Sequence, residues 1–152
     1  MKKFSSITAL LLILLAIYWS YEGLMPSYVG GEASIPENYF STSKALEHVL
    51  QISQKPHGVG FEGHKEVRAY IVSELEKLGL ETSMQEGYTA GDWGNLTKAT
   101  NILARIEGSS PGKALMLLSH YDSSPHSSLG ASDAGSGVAT ILEGTRAFLA
   151  EN

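Results

Sequence analysis

Ala114 to Leu149 reads ALMLLSHYDSSPHSSLGASDAGSGVATILEGTRAFL, and the parsing of this stretch decides the fold. It opens on an unbroken apolar run, Ala114-Leu115-Met116-Leu117-Leu118, with Pro111-Gly112 just upstream. A short apolar run bounded by turn residues predicts a strand buried on both faces. The run stops at Ser119-His120-Tyr121-Asp122, and a polar loop rich in Ser, Pro and Gly leads to Asp133. Val138, Ile141, Leu142, Thr145, Phe148 and Leu149 then recur at helical spacing on one face. His120 and Asp122 are therefore expected at the carboxyl end of a core strand, and Asp133 at the mouth of the next helix. In open α/β sheets ligands bind in that crevice.

An imidazole and a carboxylate suit zinc. The loop is long enough to fold Asp133 back beside His120. Residues i and i+2 of a strand share a face, so Asp122 can accept the proton on the second ring nitrogen of His120, fixing its tautomer. Gly130, Gly135 and Gly137 allow close backbone approach, and a helix N-terminus favours the charge of Asp133. A plainer reading stands beside this one, with Asp133 a helix cap and His120 a hydrogen-bonded strand-end histidine. A lone His-x-Asp does not choose between them.

Ser119-His120-Tyr121-Asp122-Ser123, a short loop, then Gly130-Ala131-Ser132-Asp133-Ala134-Gly135-Ser136-Gly137-Val138-Ala139 and a helix with Leu142-Glu143 resembles the co-catalytic zinc aminopeptidases, metallopeptidase family 28. The likeness is greatest to the membrane-bound branch, that of the endoplasmic reticulum metallopeptidases. It extends upstream through Pro56-His57-Gly58, Glu66 to Leu80 and Thr100 to Gly108. The resemblance implies that His120 is a zinc ligand, that Asp122 orients it, and that Asp133 bridges two zinc ions. The residue after the bridging aspartate is usually Asp or Asn in the family, and here it is Ala134.

The remaining residues bound the reading. A chain of 152 residues suits one domain. The net charge of −5, with no basic stripe, argues against a nucleic-acid partner. There is no cysteine, which excludes disulfides and thiolate metal sites. Residues 1–25 form a membrane segment: a basic head, Met1-Lys2-Lys3, then the apolar run from Ile7 to Trp19. Phe4 to Leu24 reaches spanning length, and Tyr18, Trp19 and Tyr21 resemble an interfacial belt. An uncleaved anchor is favoured over a cleaved signal, with the basic head cytoplasmic and the remainder translocated.

Residues 26–40 read as a linker with Gly30-Gly31 and Pro36 as breakers, and residues 41–152 as the peptidase part. Ser41 or Ser43 caps a helix to Gln54 with Ala45, Leu46, Val49 and Leu50 inward. A second helix runs from Glu62 to Leu78 with Val67, Tyr70, Ile71, Leu75 and Leu78 as its stripe and Gly79 as a left-handed C-cap. Leu80 to Tyr88 and Asn101 to Glu107 read as strands. Thr89 to Lys98 reads as a loop holding an Asn95-Leu96-Thr97 acceptor, which has meaning only in a eukaryotic secretory protein. Ser109 to Gly112 turns the second strand into a hairpin with the core strand. His48, His57 and His64 are expected at the surface, His126 as a solvated loop residue, and Glu143 on the helix surface.

The expectation is an α/β domain, a mixed sheet sandwiched by helices of the zinc aminopeptidase (phosphorylase/hydrolase-like) kind, incomplete here and preceded by the membrane helix. The resemblance implies a two-zinc peptidase, most simply an aminopeptidase, acting on peptide substrates from the non-cytoplasmic side of a membrane. A non-catalytic membrane relative and a glutaminyl cyclase-type zinc enzyme are the alternatives. The family's catalytic glutamate and remaining ligands find no match in these residues. The chain is therefore expected to be an N-terminal part of a longer enzyme, with little activity and weak zinc binding by itself. Its oligomeric state is not legible.

Overall fold

The computed structural model describes residues 2–25, 35–91, 94–124 and 126–151. The elements in chain order are α1 (Lys2–Leu24), α2 (Thr42–Ile52), α3 (Glu62–Lys77), β1 (Thr82–Ala90), β2 (Leu96–Ala104), an irregular turn (Ala131–Gly135) and α4 (Ser136–Glu151). They form two units, residues 1–33 and 34–152.

In the first unit α1 presents apolar side chains all round, with Leu and Ile exposed from Ile7 to Ile17. The stretch Ser6–Leu24 has a mean hydropathy of 1.7 and is long and apolar enough to cross a membrane. At 1.5 Å per residue the 23 residues of α1 reach roughly 35 Å, against a hydrocarbon core of about 30 Å. Most of the sequence-read linker, residues 26–34, lies outside the described residues.

The second unit is built on three helices. Ser41 caps α2, its Oγ accepting from the Lys44 N–H at 3.2 Å. Ala45 and Ile52, seven residues apart and so on one face, are the buried side chains of α2. Leu46 and Leu50, expected inward, are exposed. The Ala45–Ile52 line fixes the helix phase, and those two leucines fall on the neighbouring stripe. On α3 the stripe Val67, Ile71 and Leu75 is buried as expected. Gly79 ends it with φ +78, its N–H donating to Glu76 O, where a side-chain-bearing residue would be strained. These residues join Val138 and Leu142 of α4 in one core, with Tyr70, Leu80, Ile102 and Tyr121 packed against it. Leu142 is 2% exposed at its centre. Leu142→Ala is expected to cost about 2–5 kcal/mol, read as a lower urea midpoint with an unchanged slope.

The strands depart from expectation in partner and in register. β1 pairs antiparallel with β2 from Thr82↔Ala104 to Ala90↔Leu96. The pairing takes in Thr89, Ala90 and Leu96 to Lys98, half of the supposed loop, because Thr89 and Thr97 carry β-branched side chains that suit a pleat. The turn is closed by Gly91 N–H donating to Asn95 O at 3.1 Å. The expected hairpin between Asn101–Glu107 and the apolar run is therefore replaced by β1–β2.

Ala114–Leu118 has no strand partner among the described residues, so the sheet is two-stranded and antiparallel there, not mixed. Leu115, Met116, Leu117 and Leu118 are 86%, 78%, 61% and 80% exposed. A run apolar on both faces needs a strand on its edge and a layer on each side. β1 and β2 pair with each other, no described strand pairs with the run, and α2, α3 and α4 bury their stripes in their own core. The α/β class stands, with this strand unformed.

Candidate metal centre

Beyond the apolar run the chain becomes closely held. Tyr121 points into the core: its ring stacks on His64 at 4.6 Å with planes 8° apart, and its hydroxyl donates to Thr100 O at 2.8 Å. That anchor sets the phase of its neighbours, because side chains alternate along an extended segment. His120 and Asp122 consequently lie together: His120 Nδ1 is 3.1 Å from Asp122 Oδ1 and 3.2 Å from Asp122 O. Both acceptors at Nδ1 are oxygens, so Nδ1 carries a proton; Nε2 faces a third oxygen, Asp133 Oδ1, and would coordinate a metal only on giving up its own proton.

Asp133 arrives from the other side. The turn Ala131–Gly135 is held by two wide backbone bonds, Gly135 N–H to Gly130 O and Ser136 N–H to Ala131 O. Asp133 sits inside it with non-helical torsions, and the helix proper begins only at Ser136. Asp133 is thus not the helix cap of the plainer reading. Its Oδ1 lies 2.9 Å from His120 Nε2. The first turn of α4 reaches this close because Gly137 has no side chain: a Cβ there would meet Ser119 Oγ at 2.5 Å.

The three sequence-selected side chains His120, Asp122 and Asp133 are therefore one cluster, open to solvent at 53%, 41% and 88%. Partial burial works against a charge on His120. The hydrogen bond to Asp133 and the charge and hydrogen bonds of Asp122 outweigh it, and its pKa is raised above the usual histidine value. Two ligands on one tetrahedral zinc stand about 3.4 Å apart at zinc–ligand distances near 2.1 Å. The 2.9 Å between His120 Nε2 and Asp133 Oδ1 is close to that, and both groups are exposed enough to move. The donor set fits zinc. Among the described residues no third His, Cys, Asp or Glu completes it.

Other expectations change. His126 is exposed and joins no cluster among the described residues. His48 is half-buried, its Nδ1 2.7 Å from the Tyr70 hydroxyl. His57 and His64, expected at the surface, are 0% and 6% exposed. Glu143, likewise expected outside, is 0% exposed. It accepts from Ser41 N–H and from Arg146 Nε and Nη2, each at 2.7 Å. A charged residue enters the interior only with such partners, and those partners lie 102 positions upstream and on the next helical turn. The one sequence sign was Glu143–Arg146 at i, i+3 inside an otherwise apolar helix.

Comparisons with known proteins agree on a lineage. The profile of peptidase family M28 matches residues 101–152. The vacuolar membrane protease of Candida dubliniensis is 32% identical over 126 residues, covering 76% of this chain and 13% of that protein. Leupeptin-inactivating enzyme 1 of Streptomyces exfoliatus is 31% identical, covering 78% of this chain and 26% of that one. The chain thus spans about an eighth of the length of the vacuolar proteases it matches. Among solved structures, the glutaminyl cyclase of Porphyromonas gingivalis superposes with a TM-score of 0.66 at 28% identity, covering 74% of this chain and 41% of that one. A Zn-dependent exopeptidase of Parabacteroides distasonis gives 0.61 at 28%, with 74% and 42% covered. A zinc-enzyme fold, the His120–Asp133 cluster and these matches converge, and the chain belongs to peptidase family M28.

Proposed function

We propose that this chain supplies part of the zinc site of a membrane-anchored metallopeptidase. His120 and Asp133 are the metal ligands, and Asp122 is the residue that orients His120. The observation that carries this is one imidazole held between two carboxylates, at 3.1 Å on Nδ1 and 2.9 Å on Nε2. Asp122 keeps the Nδ1 proton, so Nε2 is the nitrogen that would give up its proton to a metal. Asp133, exposed on its turn, has a second oxygen that could reach a further cation. A zinc pair in such a site supplies a water acidic enough to ionise near neutral pH and polarises the scissile carbonyl. The substrate class is peptides; the exopeptidase likeness supports cleavage at a chain end, and removal of N-terminal residues is the reaction proposed. The apolar α1 would hold the protein in a membrane, as the name of the vacuolar relatives suggests, with the peptidase part on the non-cytoplasmic face. Two protein ligands do not close a tetrahedral zinc, so these residues by themselves are expected to bind zinc weakly and to hydrolyse peptides little.

The glutaminyl cyclase likeness favours a second reaction on the same scaffold. One assay separates the two. The whole protein in detergent, loaded with zinc, is offered aminoacyl p-nitroanilides and peptides with N-terminal glutamine. Release of free amino acids, abolished by His120→Ala, is the expected result. Pyroglutamyl product alone would transfer the reading to cyclisation, and no turnover of either substrate would overturn the catalytic proposal.

A further inference from the structure

We infer that His57, far from the ligands in sequence, is a positioning residue that sets the separation of His120 and Asp133; this rests on the metal reading above. Residue 57 is paired with the strand side of the cluster. Its N–H donates to Ser123 Oγ at 2.8 Å, and Ser123 N–H donates to His57 O at 3.4 Å, one residue beyond Asp122. Its ring faces the Asp133 side. Nδ1 lies 2.9 Å from Lys55 O, and a carbonyl only accepts, so Nδ1 bears the proton. Nε2 is then a bare lone pair, fully buried, with no hydrogen-bond partner among the described residues. It looks onto Gly130, where a Cβ would stand 2.9 Å from His57 Cε1, 3.1 Å from Nε2 and 2.9 Å from Ser123 Cβ. Gly130, at φ +65, begins the turn that carries Asp133, and its carbonyl accepts the Gly135 N–H that closes it.

One side chain is thereby wedged between the two segments that carry the ligands. A leucine would fill the same volume without a buried unpaired nitrogen, so packing alone does not call for histidine. What histidine adds is a flat ring, thin enough to seat Gly130, whose orientation is fixed by donation to Lys55 O.

The test is a zinc titration of the full chain in detergent, followed at the His120 ring resonances and checked with cobalt absorption. His57→Leu is expected to weaken zinc about tenfold, the lower end for residues that orient ligands. His57→Asn, whose amide can still donate to Lys55 O, is expected to recover most of that. Gly130→Ala is expected to weaken zinc similarly, and Gly130→Ala with His57→Ala by less than the product of the two single effects, since the shortened side chain admits the new methyl. If His57→Leu does not fold, the Gly130 cycle carries the test. Leu142→Ala, which loosens the fold without touching the wedge, should leave zinc affinity unchanged. Wild-type zinc affinity in His57→Leu, with His120→Ala weakened, would overturn the inference. Unchanged affinity in His120→Ala would overturn the metal reading itself and this inference with it.

Discussion

Arg146→Ala is expected to destabilise the second unit by about 3–5 kcal/mol, the range for removing one partner of a buried ion pair. Glu143 is fully buried and Arg146 is 19% exposed, so the variant strands a carboxylate that water cannot reach. The guanidinium also holds the incoming chain, donating to Glu37 Oε2 at 2.9 Å, to Tyr39 O at 2.8 Å and to Glu37 O. Its loss frees residues 37–39 from α4 as well, leaving Ser41 on Glu143. Against a total stability of about 5–15 kcal/mol that is a large fraction. Urea unfolding by circular dichroism measures it. A loss under about 1 kcal/mol would show the clamp to be ornamental.

A pH series gives the sign. Burial pushes the Glu143 pKa up, but hydrogen bonds from Arg146 and Ser41 and the charges of Arg146 and Lys44 outweigh it, and the net shift is downward. A carboxylate depressed in the folded state stabilises above its unfolded pKa, near 4.3, and that stabilisation is lost as pH falls through the lower folded value. Without Arg146 the buried acid prefers its neutral form. The stability gap between variant and wild type should therefore narrow in acid.

His120→Ala is expected to abolish measurable zinc binding. It removes the sole nitrogen donor in the cluster and leaves Asp133 facing solvent with one carboxylate. Asp133→Ala should act comparably, while Asp122→Asn should weaken zinc by about 10- to 100-fold, as loss of an orienting partner does. Zinc takes the neutral imidazole, and the raised pKa of His120 keeps that ring protonated to higher pH than an ordinary histidine. Affinity should fall as pH drops through that raised value, and the fall should begin at lower pH in Asp122→Asn, which removes one of the charges holding the proton. Zinc bound equally by wild type and His120→Ala would place the metal elsewhere.

The local chemistry of the site was legible without coordinates. His120 and Asp122 two apart, with Asp133 across a loop with glycines beside it, made a shared centre possible because spacing of two and loop reach are properties of the chain alone, and the resemblance to the zinc aminopeptidases chose it over a plain helix cap. The stripe Val67, Ile71 and Leu75, the Gly79 stop and the apolar α1 were equally readable, since helix periodicity and the φ demand of a C-cap are local.

What failed needed partners distant in sequence. His57 and Glu143 were assigned to solvent because imidazole and carboxylate usually remain there. Glu143 is buried because the distant Ser41 N–H joins Arg146 in satisfying it, and His57 because the distant Ser123 and Gly130 close over it while only the local Lys55 O bonds its ring. The hydrophobicity of Ala114–Leu118 is written in the sequence, but burial is a relation between segments, and among the described residues no strand comes to cover it. Residue type and short spacing gave this protein its helices and its apolar, span-length segment, and with the family resemblance its candidate ligands. Tertiary contact alone decided which polar groups could leave water and which apolar ones could not, because desolvation is settled by whatever happens to pack across the gap.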